Sequence, residues 1–337
     1  MRSEITIDVG AVRRNARTLL GALEGAELWA VVKANGYGHG AADCARAAIE
    51  GGATALCVAT LAEALELRAT LPEPRILVMG PVDDVGRARD ARLELVVGDE
   101  IPEGLPVHVK IDTGMGRWGV SELASPARNV VGVMTHLATA DSDPDFARIQ
   151  LARFREATAH LDLVRHAANS AAALRIPESR FDAARCGIAL YGLSPFGGDP
   201  ADDGLEPALS WRSEIALTRL LPVGESTGYG RRFVAGRETW IGIVPVGYAD
   251  GFRRDLTEAR VLVDGEPRRV VGVVSMDALA VELDRDVARG TPVTLVGDGV
   301  RLEEHAAVAG TINYELATRI EADPTRARRV VIDSEGA

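Results

Sequence analysis

From residue 28 to about 192, short apolar runs alternate with stretches whose apolar residues recur at helical spacing. The runs cover 28–34, 55–60, 75–80, 93–98, 107–112, 130–137, 163–167 and 181–185, and each reads as a buried strand. Helical segments at 41–49, 61–69 and 145–161 fill several of the gaps; in the last, Phe146, Ile149, Phe154 and Ala157 repeat at roughly helical spacing. Strand–helix units of this length predict a parallel sheet, and eight of them predict a closed (β/α)8 barrel of the TIM type. An open doubly wound sheet is the alternative.

After about residue 205 the texture changes. The runs at 215–220, 240–246, 260–263, 268–274 and 291–296 are short and strand-like, with turns such as Val263-Asp-Gly-Glu and Val296-Gly-Asp-Gly-Val between them. This predicts a C-terminal all-β domain with a late helix near 303–320. The expected division is a barrel over 10–205 and a β domain over 206–337, with residues 1–9 a candidate extra strand of the latter. A length of 337 residues agrees with two domains rather than one.

Composition narrows the function class. The net charge of −11 gives an acidic surface, unsuited to binding nucleic-acid backbones. No apolar run is long enough to span a membrane, and charges interrupt the first twenty residues, so neither a membrane protein nor a signal peptide is expected and a cytoplasmic location is. Cys44, Cys57 and Cys186 lack metal-ligand spacing, so no metal site or disulfide framework is expected.

One count changes the picture more than these. The chain holds 36 arginines but only two lysines, Lys33 and Lys110. A guanidinium stays protonated, whereas a lysine amine can be neutralised and form a Schiff base, so the two exceptions suggest chemistry that needs an amine. Both close predicted strands and precede glycine-rich loops, which in a barrel places them at the C-terminal mouth where functional residues gather. Strand alternation also puts His108, Lys110 and Asp112 on one face.

The run Val31-Val-Lys-Ala-Asn-Gly-Tyr-Gly-His-Gly40 resembles the cofactor-lysine signature of alanine racemases. Lys110-Ile-Asp-Thr-Gly-Met-Gly-Arg117, Met134-Thr-His-Leu-Ala-Thr-Ala-Asp141, His166-Ala-Ala-Asn-Ser170 and Arg185-Cys-Gly-Ile-Ala-Leu-Tyr-Gly192 are similar to further motifs of that family, in family order. So are Gly228-Tyr-Gly-Arg, Val246-Gly-Tyr-Ala-Asp-Gly251, Ser275-Met-Asp277 and Thr311-Ile-Asn-Tyr-Glu-Leu316, and all five tyrosines fall inside these motifs. The resemblance covers nearly the whole chain. It implies a pyridoxal 5′-phosphate-dependent isomerase that interconverts L-alanine and D-alanine, supplies D-alanine for peptidoglycan and works as a homodimer. A serine or broad-specificity racemase on the same scaffold, or a barrel that carries the cofactor without turnover, are the alternatives.

The resemblance also implies residue roles. Lys33 forms the Schiff base with the cofactor and serves as one base; Tyr229 of the partner subunit serves as the other, on the opposite face. Removing an α-proton needs an electron sink, which the cofactor supplies, and a tyrosine of ordinary pKa near 10 must be tuned to act near neutrality. Arg185 faces the pyridine nitrogen, where it donates a hydrogen bond and keeps the ring largely unprotonated. Asn169, Ser170, Gly187 and Ile188 open helix-like segments whose exposed amides suit a phosphate, with Tyr37 and Tyr314 adding hydroxyls; Asn-Ser at such a place is equally an ordinary cap. Arg117 reaches the phenolic oxygen and the substrate carboxylate, Met276 offers its backbone amide to that carboxylate from the partner subunit, and His136 joins the network beneath the cofactor. Tyr248 and Tyr314 narrow the entrance. Lys110 is a candidate for N-carboxylation. Gly36, Cys186 and Ser275 stand where the family usually has alanine, proline and cysteine; none of these removes a catalytic atom.

Overall fold

The computed structural model describes residues 2–123, 126–320 and 323–335, so the last two positions of the expected β domain lie outside the described residues. The chain forms two compact units. One comprises residues 10–196 and 200–206; the other comprises the N-terminal segment to Val9, 197–199 and 207–335.

Strand β1 (Ser3–Asp8) belongs to the second unit, and the next eight close the first. These are β2 (Glu27–Val31), β3 (Ala55–Val58), β4 (Arg75–Val78), β5 (Glu94–Val97), β6 (Val107–Lys110), β7 (Val130–Met134), β8 (Val164–His166) and β9 (Ala183–Cys186). They pair in sequence order, all parallel, and β9 returns to β2, which makes a closed barrel and excludes the open sheet. Each predicted run overlaps one of them; six are contained and cut shorter, while β2 begins one residue before its run and β9 ends one residue after. β3 and β6 are buried at every position, as strands covered on both faces must be. The connecting helices start on local signals. Thr60 and Glu63 form a capping box on the helix Leu61–Thr70, and Asp143 caps the helix Pro144–Thr158 through the Phe146 amide, with proline at its first position.

The second unit holds β10 (Leu209–Glu214), β11 (Leu217–Leu221), β12 (Ser226–Thr227), β13 (Phe233–Val234), β14 (Thr239–Val244), β15 (Arg260–Val263), β16 (Glu266–Val271), β17 (Leu279–Leu283), β18 (Pro292–Val296) and β19 (Arg328–Ile332). Nine strands form one sheet in the order β11-β14-β17-β16-β15-β18-β10-β1-β19, and β12 and β13 form a separate ribbon. β1 pairs antiparallel with β10 and parallel with β19, so the first and last strands of the chain close one edge. Asp264 and Gly265 turn β15 into β16 with φ of 55° and 78°, the two left-handed residues that a tight hairpin of this hand requires. The unit is not purely β. Two short helices, Leu302–Ala309 and Asn313–Arg319, stand where one was expected, because Gly310 takes a left-handed φ of 62° and ends the first.

Two loops of this unit are held by buried charge. Asp250 accepts from the Gly247 amide at 2.8 Å and from Arg326 Nε at 2.8 Å, while Arg326 Nη2 donates to Asp277 Oδ1 at 2.7 Å. The segments carrying Tyr248 and Met276 also bond directly: Tyr248 N–H to the Ser275 carbonyl and Ala249 N–H to the Met276 carbonyl, both at 3.0 Å. A Cβ at Gly247 would lie 2.2 Å from the Ser275 oxygen, so only glycine permits this approach. Asp250→Ala removes the acceptor that joins both loops and should cost about 2 kcal/mol. Hydrogen exchange reads this as faster opening of β14 and β17, and protection equal to the parent's would show that the clamp contributes nothing.

Candidate active site

The C-terminal ends of the barrel strands collect the sequence-expected residues of the first unit. Lys33 follows β2, Lys110 ends β6, His136 follows β7, Asn169 and Ser170 follow β8, Arg185 lies in β9, and Gly187 and Ile188 come just after it. Arg117 sits in the loop that β6 feeds. The four remaining positions belong to the second unit, which brings Tyr248 and Met276 together on the paired loops described above. Tyr229 stands on its own turn after Gly228 with 68% of its surface exposed, and Tyr314 lies on the helix Asn313–Arg319.

The backbone after Lys33 is not the open loop that its glycines suggest. Ala34, Asn35, Gly36, Tyr37 and Gly38 all have positive φ, at 51°, 52°, 62°, 53° and 84°, so the chain makes a left-handed turn. Left-handed backbone costs roughly 1–2 kcal/mol for each residue bearing a Cβ, and the turn persists because its polar groups are held. Glu63 Oε1 accepts from the Ala34 amide at 2.7 Å, and Asn35 Oδ1 accepts from the Ala41 amide at 3.0 Å. The other Glu63 oxygen accepts from the amides of Ala59 and Thr60. One carboxylate thus caps a helix and anchors the turn beside the lysine. Nothing in the sequence reading pointed to Glu63; its capping spacing from Thr60 was the available signal.

Arg185 is held within the barrel through both of its Nη atoms. Its Nη1 donates to His166 Nδ1 and to the His166 carbonyl, and its Nη2 to the Thr135 carbonyl, each at 2.8 Å. Asp112, expected to share a face with Lys110, lies beyond the end of β6, and its carboxylate instead accepts from the amides of Gly114, Met115 and Gly116. The Lys110 amine has no hydrogen bond or ion pair among the described residues and lies 5.7 Å from the Trp118 ring centre. Asn169 acts as the N-cap of the helix Ser170–Arg175, its oxygen accepting from the Ala172 amide. The Ser170 hydroxyl accepts from the amides of Gly187 and Ala189, at 3.0 and 3.4 Å.

Positive charge dominates the barrel mouth. Burial and the nearby Arg117 guanidinium lower the pKa of Lys33, and burial with Arg117 and Arg185 brings Lys110 down to about 8. Burial, then Arg185, Lys110, Arg117 and Lys33 together, push His136 down to about 3, so its imidazole is neutral. Burial raises Tyr37 well above the ordinary tyrosine value. A half-buried amine that gives up its proton readily, surrounded by cations without free counter-anions, fits the pyridoxal phosphate implied by the sequence resemblance: an aldehyde for the amine and anionic oxygens for the cations. The space agrees as well. A Cβ at Gly187 would lie 2.4 Å from the Tyr37 hydroxyl, so this cradle admits no side chain there. No cluster of His, Cys, Asp and Glu among the described residues could hold a metal ion.

Residues 7–195 match the family described as alanine racemase, N-terminal domain, and residues 208–330 match alanine racemase, C-terminal domain. The alanine racemase of Frankia casuarinae is 40% identical over 96% of this chain and 95% of its own length. That of Levilactobacillus brevis is 42% identical over 94% of each. The crystal structure of alanine racemase from D-cycloserine producing Streptomyces lavendulae matches with a TM-score of 0.90 at 36% identity, covering 99% of this chain and 98% of that one. No helix among the described residues is long and apolar enough to cross a membrane.

With only two lysines, protein carrying 13C-lysine gives two side-chain signals, assigned through Lys110→Arg. In cofactor-free protein in bicarbonate-free buffer, where the amine is unmodified, the Lys110 signal should titrate near pH 8 instead of the ordinary 10.5. Since the folded pKa lies below the unfolded one, folding releases this proton between those values. The cost of burying the ammonium is therefore full below pH 8 and fades as pH rises toward 10.5. A midpoint near 10.5 would mean that the surrounding cations do not act on this amine.

Proposed function

The chain belongs to the alanine racemase family, a family of isomerases, and on that premise we propose that it interconverts L-alanine and D-alanine with pyridoxal 5′-phosphate, supplying D-alanine for peptidoglycan in the cytoplasm. The observation that carries this reading is Lys33: one of two lysines in the chain, at a barrel-strand end, with its pKa lowered by burial and by Arg117. When bound, the cofactor supplies the electron sink that makes an amino acid's α-proton removable.

This chain's residues account for the rest. Lys33 holds the cofactor and, once free, its Nζ takes or returns the α-proton on one face. Its depressed pKa suits that work, because a base is most effective when it loses its proton near the working pH. Tyr229 serves the other face from the partner subunit, where its exposed hydroxyl becomes enclosed. Arg185 donates toward the pyridine nitrogen and, as a guanidinium, retains its proton while doing so. Ser170 at the start of the helix that Asn169 caps, Gly187 and Ile188 just after β9, and the hydroxyls of Tyr37 and Tyr314 hold the phosphate. Arg117 and the Met276 amide take the substrate carboxylate, Tyr248 and Tyr314 narrow the approach, and neutral His136 accepts or donates without adding a fourth charge.

Lys110 completes the arrangement as a carbamate. A neutral amine attacks carbon dioxide, its nitrogen forms the new N–C bond, and the surplus proton leaves to solvent. The product is an anion in a cluster of cations, and it orients Arg117 by charge-assisted hydrogen bonds. With 13C-bicarbonate, a carbamate resonance is expected that Lys110→Arg abolishes.

Two experiments decide the main reading. Purified protein given L-alanine should release D-alanine on a chiral column, and borohydride should fix the cofactor on the peptide carrying Lys33; label on Lys110 overturns the assignment. The shared site is tested by mixing inactive Lys33→Ala and Tyr229→Phe homodimers. Random exchange makes about half the dimers mixed, each with one intact site in two, so activity should recover to about a quarter. No recovery after verified exchange puts Tyr229 back in its own subunit's site.

A further inference from the structure

A chain of polar groups, exposed at Arg75 and buried from His108 onward, runs through the barrel from the starts of β4 and β5 to the mouth, and the chemistry described above uses only its last member. At the far end Arg75 donates bidentately to Glu94, Nε to Oε1 at 2.8 Å and Nη2 to Oε2 at 3.0 Å. Glu94 Oε2 also lies 3.0 Å from His108 Nε2. His108 Nδ1 lies 2.9 Å from His166 Nε2, and His166 Nδ1 lies 2.8 Å from Arg185 Nη1. Both imidazoles are completely buried. The Trp29 ring packs against both, with ring centres 5.5 Å from His108 and 4.5 Å from His166, and shuts water out.

Only one arrangement of protons satisfies this chain. An arginine can only donate, so His166 Nδ1 must accept, and His166 must carry its proton on Nε2. That N–H points at His108 Nδ1, which must therefore accept, leaving His108 its proton on Nε2. The last N–H points at Glu94, which as a carboxylate can only accept. The two charged ends demand the same tautomers. A second proton on either ring would set two N–H groups against each other.

The barrel also makes room for it. Gly132 on β7 pairs in register with His108, and a Cβ at Gly132 would lie 2.2 Å from His108 Nδ1 and 2.6 Å from its Cε1. The imidazole occupies the space that any other residue at 132 would fill.

We propose that Glu94 is a positioning residue: through two neutral Nε2–H imidazoles it keeps His166 Nδ1 an acceptor and so pins the Arg185 guanidinium at the mouth. A carboxylate at the closed end of the barrel thereby sets the aim of a group three hydrogen bonds away. The step from Arg185 to the cofactor nitrogen rests on the proposed function; the relay itself does not.

The test uses 15N-histidine in cofactor-free protein, with His108 and His166 assigned through single substitutions among the six histidines. Both rings should show a protonated Nε2 and a bare Nδ1. Glu94→Gln replaces a pure acceptor with an amide that also donates, leaving Arg185 as the one remaining constraint, so a second His108 tautomer should appear, formed at the expense of the His166–Arg185 hydrogen bond. Gly132→Ala should disturb the same signals by displacing the ring while Glu94 stays. Arg75→Gln leaves the carboxylate in place and should leave both tautomers as in the parent. In the cofactor-loaded enzyme Glu94→Gln should lower kcat about tenfold, with KM changed less than about twofold and with more transamination per turnover. A proton on His166 Nδ1 in the parent, or unaltered tautomers in Glu94→Gln, overturns the proposal. If the tautomers hold while borohydride fixes nothing on Lys33, the relay stands and the functional reading falls.

Discussion

The mouth of the barrel is a place where positive charges face one another with no anion left to answer them. Lys33, Lys110, Arg117 and Arg185 act on each other there, in a chain whose net charge is −11. The acidic groups nearest by topology are already committed: Glu63 to a helix cap and the turn after Lys33, Asp112 to its own loop, and Glu94 to Arg75 and His108. At an effective dielectric of 20, like charges about 6 Å apart repel by roughly 3 kcal/mol. A folded chain relieves that repulsion by giving up protons or by binding anions. Burial first and the neighbouring cations second account for the lowered lysine pKa values and the neutral His136; in the proposed function the anions bound are phosphate, phenolate and carboxylate oxygens.

Holding such a site open needs rigidity, and the structure shows where it comes from. The left-handed turn after Lys33 places three residues with Cβ atoms, Ala34, Asn35 and Tyr37, in a conformation they would not adopt alone. The hydrogen bonds of Glu63 and Asn35 offset that strain and fix the direction in which the lysine leaves the backbone. Gly36, which replaces a common alanine of the resembled motif, lies at the middle of this turn. Its Cβ would stand 3.2 Å from the backbone nitrogen and Cα of Ala41, so glycine relaxes the tightest point without altering the path.

How much of this the sequence disclosed depended on the range of the interaction. The eight barrel strands were legible because fully buried parallel strands are continuous apolar runs, and the hairpin at Asp264-Gly265 because two-residue turns have a fixed chemistry. β10, β17 and β19 were missed. Leu209–Glu214 sets Arg212 and Glu214 on one face, Arg328–Ile332 opens on two adjacent arginines, and only their pairing partners across the sheet make them strands. Lys33, Lys110 and Arg185 were legible through their type and motif. Asp112 was misplaced by extending strand alternation past Lys110, where the chain turns to wrap its own amides. Glu63 offered only its capping spacing from Thr60, while its bond to the Ala34 amide spans 29 residues; Glu94 was invisible because Arg75 and His108 lie 19 and 14 residues away, and a composition rich in acids offers no reason to prefer one.

The two units divide the work in a way that physical reasoning can follow. The barrel contributes charged groups at its mouth, with Arg185 held by several hydrogen bonds and Lys110 by none among the described residues. The second unit invests a buried aspartate and two arginines in fixing the loops of Tyr248 and Met276, yet those side chains remain 41% and 53% exposed, and Tyr229 more so. Exposed apolar and aromatic side chains on mobile loops need no explanation; on loops clamped by a buried carboxylate they do. Order has been imposed on them without burial to repay it inside that unit. In the proposed function that order serves the substrate, holding the Met276 amide and the Tyr248 side chain in fixed directions.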